Sequence, residues 1–162
     1  MIVTVILIGI RLLYLWMIHH QNLKAEKWEG FRHHYHAHRG LHDAQHNIPA
    51  NSLAAFLKAV ENGYGIELDV QLTKDGTPVI FHDVKTGRLL RDEKAVVVNK
   101  VLTELTLEEL QRCHLLTSKE QVPLFEDVLK LVDGKVPLIV ELKVANSSTD
   151  TNVLCSKADL LL

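Results

Sequence analysis

Ionisable residues stand at the ends of segments that otherwise read as buried β-strands: His38-Arg39-Gly40, Glu67-Leu68-Asp69 with Phe81-His82-Asp83, and Glu141-Leu142-Lys143. Isolated charges are costly to bury, so such residues persist when they are paired, bound to metal or used in chemistry. Glu67 and Asp69, two apart on a strand, leave the same face about 7 Å apart along it. With Glu141 from a neighbouring strand they form an oxygen-ligand set that, without cysteine, suits Mg²⁺, Ca²⁺ or Mn²⁺. Alone, the Glu67-x-Asp69 pair also reads as an ordinary solvated strand face. His38 and His82 end strands on the same rim and make a general acid and a general base. Arg39 offers a planar fork for phosphate oxygens, Lys143 a compact point charge, and Gly40 a close backbone approach to a ligand. The set points to metal-assisted chemistry on a phosphate ester.

The elements that must position these residues are legible in the chain. Tyr35 to His38 reads as a short first strand. Asn51 or Ser52 can cap a helix whose apolar face is Leu53, Phe56, Leu57 and Val60, with Gly63 as its left-handed stop. Gly65 to Leu72 alternates as a strand, Lys74-Asp75-Gly76 is a turn, and Pro78 to His82 is the next strand. Residues 84–104 are less regular. Thr106 to Glu109 has the form of a capping box opening a short helix through Arg112. Phe125 to Val132 is a further helix, stopped near Gly134. Leu138 to Val144 is an apolar strand broken only by Glu141 and Lys143, and the last dozen residues begin another helix. Strands alternating with helices predict an α/β fold with a mostly parallel sheet, whose chemistry lies at the carboxyl ends of the strands.

Composition narrows the function. With 162 residues there is room for one domain, and a net charge of −2 with both signs interspersed leaves no basic footprint for nucleic acid. Cys113 and Cys155 lie far apart without metal-ligand spacing and read as free thiols. Residues 1–18 are apolar except for Thr4, Gly9, Arg11 and Tyr14, and read as an uncleaved transmembrane anchor, somewhat short of the about 20 residues a span needs. Residues 19–32 then form a tether and 33–162 the domain. Lys24, Lys27 and Arg32 follow the anchor and no basic residue precedes it, which favours the cytoplasmic side for the domain. His33, His34, His36, His42 and His46 follow no strand-end logic and read mostly as solvated loop residues.

The chain resembles the glycerophosphodiester phosphodiesterase family, in particular its membrane-anchored bacterial members, from about Glu29 onwards. The resemblance rests on His38-Arg39-Gly40-Leu41-His42-Asp43, on Pro49-Ala50-Asn51-Ser52-Leu53-Ala54-Ala55-Phe56, on Glu67 through Gly76, on Phe81-His82-Asp83 and on Glu141-Leu142-Lys143. It implies a TIM-type (β/α) barrel with one divalent cation, Ca²⁺ or Mg²⁺, on Glu67, Asp69 and Glu141. It further implies His38 and His82 as the acid–base pair and Arg39 and Lys143 as phosphate contacts. The implied reaction hydrolyses a glycerophosphodiester to glycerol 3-phosphate and an alcohol.

Two departures from the family pattern stand out. Ala50 replaces a glutamate that members usually carry. The domain of about 130 residues is also near half of the about 250 that a complete barrel takes, so barrel strands one to four are expected and the closing ones are not. Two other readings follow from the same residues. An open half-barrel exposes strand edges and apolar surface, which suits an inactive fragment or an interaction module. His36-x-His38 at the end of a first barrel strand also fits an amidohydrolase-like zinc site.

Overall fold

The computed structural model describes residues 8–16, 29–144 and 148–161. The chain divides into two units, Met1–His34 and Tyr35–Leu162. In the first, α1 covers residues 8–16 and α2 is the single turn Glu29–Arg32, where Glu29 Oε1 lies 3.1 Å from His33 Nε2. α1 exposes apolar side chains all round, among them Ile10, Leu12, Leu13 and Trp16. Among the described residues no helix is long and apolar enough to cross a membrane. The expected transmembrane anchor over 1–18 is therefore not supported; its residues 1–7 and 17–18, and the tether up to residue 28, lie outside the described residues.

The second unit is organised around one strand. β1 (His36–His38) leads through α3 (Leu53–Glu61) into β2 (Gly65–Leu72), and β3 (Pro78–Ile80) follows directly. An irregular lobe holds the short strands β4 (Leu90–Arg91) and β5 (His114–Leu115) with α4 (Leu107–Gln111) between them. Then come α5 (Phe125–Val132), β6 (Leu138–Leu142) and α6 (Ser148–Asp159).

β2 pairs parallel with β1 and with β6, and antiparallel with β3. Ile66 and Glu67 face both β1 and β6, while Val70 faces both β3 and β6. β1 and β3 therefore share one edge of β2, end to end, and β6 occupies the other. The parallel pairs joined by helical crossovers form part of a TIM-type barrel wall.

The sheet is mostly parallel, as expected: β1, β2 and β6 are parallel, and β3 runs antiparallel. The reason is chain length. Only Thr73 to Thr77 join β2 to β3, and a parallel return needs a crossover of a dozen or more residues. Thr73 and Thr77 close the connection as a tight hairpin, with backbone and hydroxyl bonds of 3.0 and 2.9 Å between them.

Alternation along β2 separates the two faces. Ile66, Leu68 and Val70 are wholly buried and meet Phe56 and Ala59 of α3 and Phe125, Val128 and Val132 of α5. Fully burying a side chain of this size is worth about 1.5–3 kcal/mol. A second core of Val79, Phe81, Leu90, Leu102, Leu110 and Leu115 underlies the lobe. Sequence-read caps are realised: the Ser52 hydroxyl accepts the Ala55 amide at 3.2 Å, and Thr106 and Glu109 form the reciprocal capping box of α4. Asp75 in the hairpin also accepts the Leu107 amide, tying the turn to the start of α4.

Gly40 has a role different from the ligand approach expected of it. Its φ is +79°, and a Cβ there would lie 2.8 Å from the Ala55 carbonyl carbon. Gly40 thus lets the β1 loop cross against the first turn of α3, which the Leu41 amide fastens by donating to the Ala55 carbonyl at 3.0 Å. Backbone cannot yield as a flexible side chain can. Gly40→Ala should lower the unfolding free energy by at least about 2 kcal/mol, combining left-handed strain with this overlap. Urea titration checks it; a loss below about 0.5 kcal/mol would show that the loop gives way freely.

Candidate active site

The face of β2 opposite the helices carries Glu67, Asp69 and Gln71. Register places His38 beside Glu67 on one side, and Ile139 and Glu141 beside Glu67 and Asp69 on the other. Lys143 continues the same alternation two residues on, held where its amide donates to the Val70 carbonyl at 2.9 Å. One ligand atom each of Glu67, Asp69 and Glu141 lies within 4.8 Å of the others. The expected carboxylate triad is thus assembled from two adjacent parallel strands. Among the described residues it is the metal-competent cluster, and His36 takes no part in one.

Asp69 is completely buried, so its charge needs partners. Arg39 Nε lies 3.3 Å from Oδ2, Asn51 Nδ2 donates to Oδ2 at 2.9 Å, and Lys143 Nζ lies 3.2 Å from Oδ1. Lys143 also donates to Glu141 Oε1 at 2.8 Å. Burial works against the Lys143 charge, but its pairing with Glu141 and Asp69 outweighs that and raises its pKa. Lys143, expected as a phosphate contact, therefore bridges two of the carboxylates. Glu67 accepts the Arg39 amide at 3.1 Å, with His38 Nε2 at 3.9 Å. Arg39 and Asn51 both hold left-handed backbone, at φ 57°. The Asn51 amide donates to the Arg39 carbonyl at 3.0 Å, so the two loops are set against each other.

The sequence offers Asn51 as an alternative helix cap to Ser52 and as a member of the Pro49–Phe56 motif, with no site role of its own. Ser52 does the capping, and Asn51, 4% exposed, turns its side chain to Asp69. Its position beside Ala50, inside the motif that departs from the family pattern, is the signal that could have marked it. Ala50 itself offers no polar side-chain atom to the site.

His82 follows the antiparallel strand. The Phe81 amide donates to the Asp69 carbonyl at 2.9 Å, so the chain at residue 82 runs back beside the β2 backbone rather than away from it. Phe81 anchors the segment in the second core. Gln71, buried on the site face, donates to the carbonyls of Phe81 at 2.7 Å and of Asp83 at 3.1 Å. The sequence showed Gln71 only as a polar position of the strand. His82 Nδ1 lies 2.7 Å from Asp83 Oδ1. Arg88 donates through Nε to Asp83 Oδ2 at 2.7 Å and through a terminal nitrogen to Oδ1 at 3.0 Å.

Of the histidine-rich stretch, His33 and His46 are exposed and His46 pairs with Asp43 at 2.7 Å. Both cysteines are free; burial pushes the Cys113 thiol up, while Cys155 is exposed.

The hydrogen bonds from Arg88, helped by His82 and opposed by burial, hold the Asp83 carboxyl at about 2, below its ordinary 3.8. A lowered carboxylate pKa stabilises the fold above the unfolded value, and that contribution is lost as pH falls through the folded one. Its ceiling is about 2 kcal/mol, cut to about 1 kcal/mol by solvent around the exposed Arg88. The stability difference between wild type and Asp83→Asn should shrink by this amount as pH drops from about 4 to about 2. Urea midpoints measured across that range check it, and a difference independent of pH would refute it.

Residues 38–161 match the model of the glycerophosphoryl diester phosphodiesterase family. A glycerophosphodiester phosphodiesterase from Bacillus altitudinis is 36% identical over 118 residues, covering 68% of this chain and 44% of the relative. Glycerophosphodiester phosphodiesterase 1 from Homo sapiens is 50% identical over 79 residues, covering 48% of this chain and 21% of that protein. Among solved structures, an Oleispira antarctica phosphodiesterase bound to the product sn-glycerol-3-phosphate superposes with a TM-score of 0.66 at 24% identity, covering 80% of this chain and 51% of that one. The chain spans less than half the length of the curated relatives it matches. The chain, which gathers three carboxylates on a partial barrel wall and is matched along three quarters of its sequence, belongs to the glycerophosphoryl diester phosphodiesterase family.

Proposed function

We propose that this chain carries the catalytic half of a metal-dependent glycerophosphodiester phosphodiesterase, which releases glycerol 3-phosphate and an alcohol. The convergence of Glu67, Asp69 and Glu141 within 4.8 Å carries the reading. These residues suit a hard divalent cation, Ca²⁺ or Mg²⁺, on chemical grounds: all are oxygen donors gathered at one point, and the buried Asp69 Oδ1, which meets only the Lys143 ammonium at 3.2 Å among the described residues, keeps a lone pair for a ligand. When bound, such an ion supplies Lewis-acid stabilisation of charge on the phosphoryl oxygens.

The protein's own groups do the rest. Arg39, one nitrogen set against Asp69, presents the remainder of its guanidinium fork to a phosphate. Lys143 adds a positive charge on the opposite side of Asp69. His82, whose Nδ1 is committed to Asp83, keeps Nε2 for proton transfer. His38, two-thirds exposed beside Glu67, serves as the second proton-transfer group. One activates the attacking oxygen and the other protonates the leaving alkoxide.

With Ca²⁺ or Mg²⁺ the chain should release glycerol 3-phosphate from glycerophosphocholine, and strong chelation should abolish this. His82→Ala should lower kcat by about 10²–10⁴-fold. Activity that survives both chelation and His82→Ala would overturn the mechanism.

One observation favours a second reading. β6 pairs with β2 alone among the described residues, and Ile139 on its inner face is 45% exposed. A half-barrel that needs this edge covered is inactive by itself and serves as an interaction module. Cooperative unfolding of the chain without any hydrolysis would support that reading, and hydrolysis would exclude it.

A further inference from the structure

We propose that Arg88 is a positioning residue for His82, acting through Asp83. The three side chains form a continuous chain of hydrogen bonds. The Arg88 guanidinium grips Asp83 from two nitrogens, at 2.7 and 3.0 Å, and the Asp83 Oδ1 that takes the second of these also lies 2.7 Å from His82 Nδ1. Exposed ion pairs usually hold little, because two long side chains lose entropy in pairing and solvent screens them. This pair differs in being two-pronged and in sharing its acceptor oxygen with the imidazole.

The backbone around it is also fixed. Gln71 holds the Phe81 and Asp83 carbonyls. Arg88 ends a 3₁₀ turn, Thr86–Arg88, whose buried Thr86 hydroxyl donates to the Val98 carbonyl at 2.6 Å. Asp83 and Arg88 are thus presented to each other by segments that cannot drift apart.

The consequence follows from valence. Asp83 and His82 are adjacent in sequence, and a carboxylate on such a neighbour can rotate to water as readily as to the ring. Arg88 takes that freedom away by fixing both carboxylate oxygens. An ionised carboxylate only accepts hydrogen bonds, so His82 Nδ1 must carry the proton. In the neutral ring Nε2 is then the unprotonated nitrogen, the state a general base needs, and it becomes the donor once protonated. The logic is that of an imidazole oriented by a carboxylate, with a guanidinium added behind it. The catalytic consequence rests on the phosphodiesterase reading; the orientation of His82 does not.

The experiment is a long-range ¹H–¹⁵N correlation spectrum of the full chain with ¹⁵N-labelled histidine, at a pH where His82 is neutral and with its signals assigned by their loss in His82→Ala. Wild type should show Nδ1 protonated and Nε2 unprotonated. Arg88→Gln should bring in the Nε2–H tautomer, and Arg88→Lys should fall between the two, while the amide spectrum shows the fold retained. An unchanged tautomer in Arg88→Gln, or Nε2–H in wild type, would overturn the proposal. In turnover of glycerophosphocholine, Arg88→Gln should lower kcat about tenfold with KM unchanged. If wild type does not turn over at all, the phosphodiesterase reading fails, and the tautomer still decides the role of Arg88.

Discussion

The whole arrangement turns on one buried charge. Asp69 sits at the centre of β2 with no exposure to water, and each neighbouring element contributes to making that tolerable. The β1 loop brings Arg39, the loop before α3 brings Asn51, and the end of β6 brings Lys143. An unpaired carboxylate at this depth would cost several kcal/mol or would take up a proton. Two cations and an amide around one aspartate therefore specify how three loops meet. The concentration of positive groups that compensates the carboxylate is also what a phosphate ester requires.

Glu67 and Glu141 flank Asp69 at its own level of the sheet, so the same register that satisfies the buried charge assembles three carboxylates. The opposite face makes that register stable. Shifting β2 by one residue would turn Ile66, Leu68 and Val70 away from α3 and α5 and bury Glu67 and Gln71 among them. Packing on one face and chemistry on the other are therefore coupled through a single strand.

Much of the fold was legible because local physics and tertiary context agree. β2 and α5 run over the residues that alternation and helical periodicity indicate, and the caps at Ser52 and Thr106 are where hydroxyls precede apolar faces. The candidate site was legible too, since costly charges at strand ends are conspicuous. Less visible were residues with ordinary local explanations. Asn51 looked like a cap and Gln71 like the polar side of a strand; each instead makes a contact to a residue more than nine positions away. Gly40 looked like a gap for a ligand and proves to be a gap for the helix backbone.

By itself the sequence determined which side chains are available, the strands and helices that carry them, and the phosphodiesterase family to which they belong. These follow from short-range periodicity, turn chemistry and motif spacing. Only the tertiary structure decided how the pieces meet: that β3 runs antiparallel and carries the chain at residue 82 back beside β2, that Lys143 bridges two carboxylates, and that Arg88 stands behind the Asp83–His82 pair. The Lys143–Asp69 pair joins residues far apart in the chain and exists because a buried charge must be satisfied. The other two relations are short-range in sequence, but side-chain composition does not fix them: the five-residue connection makes β3 antiparallel, and the fold sets the Arg88 and Asp83 side chains against each other.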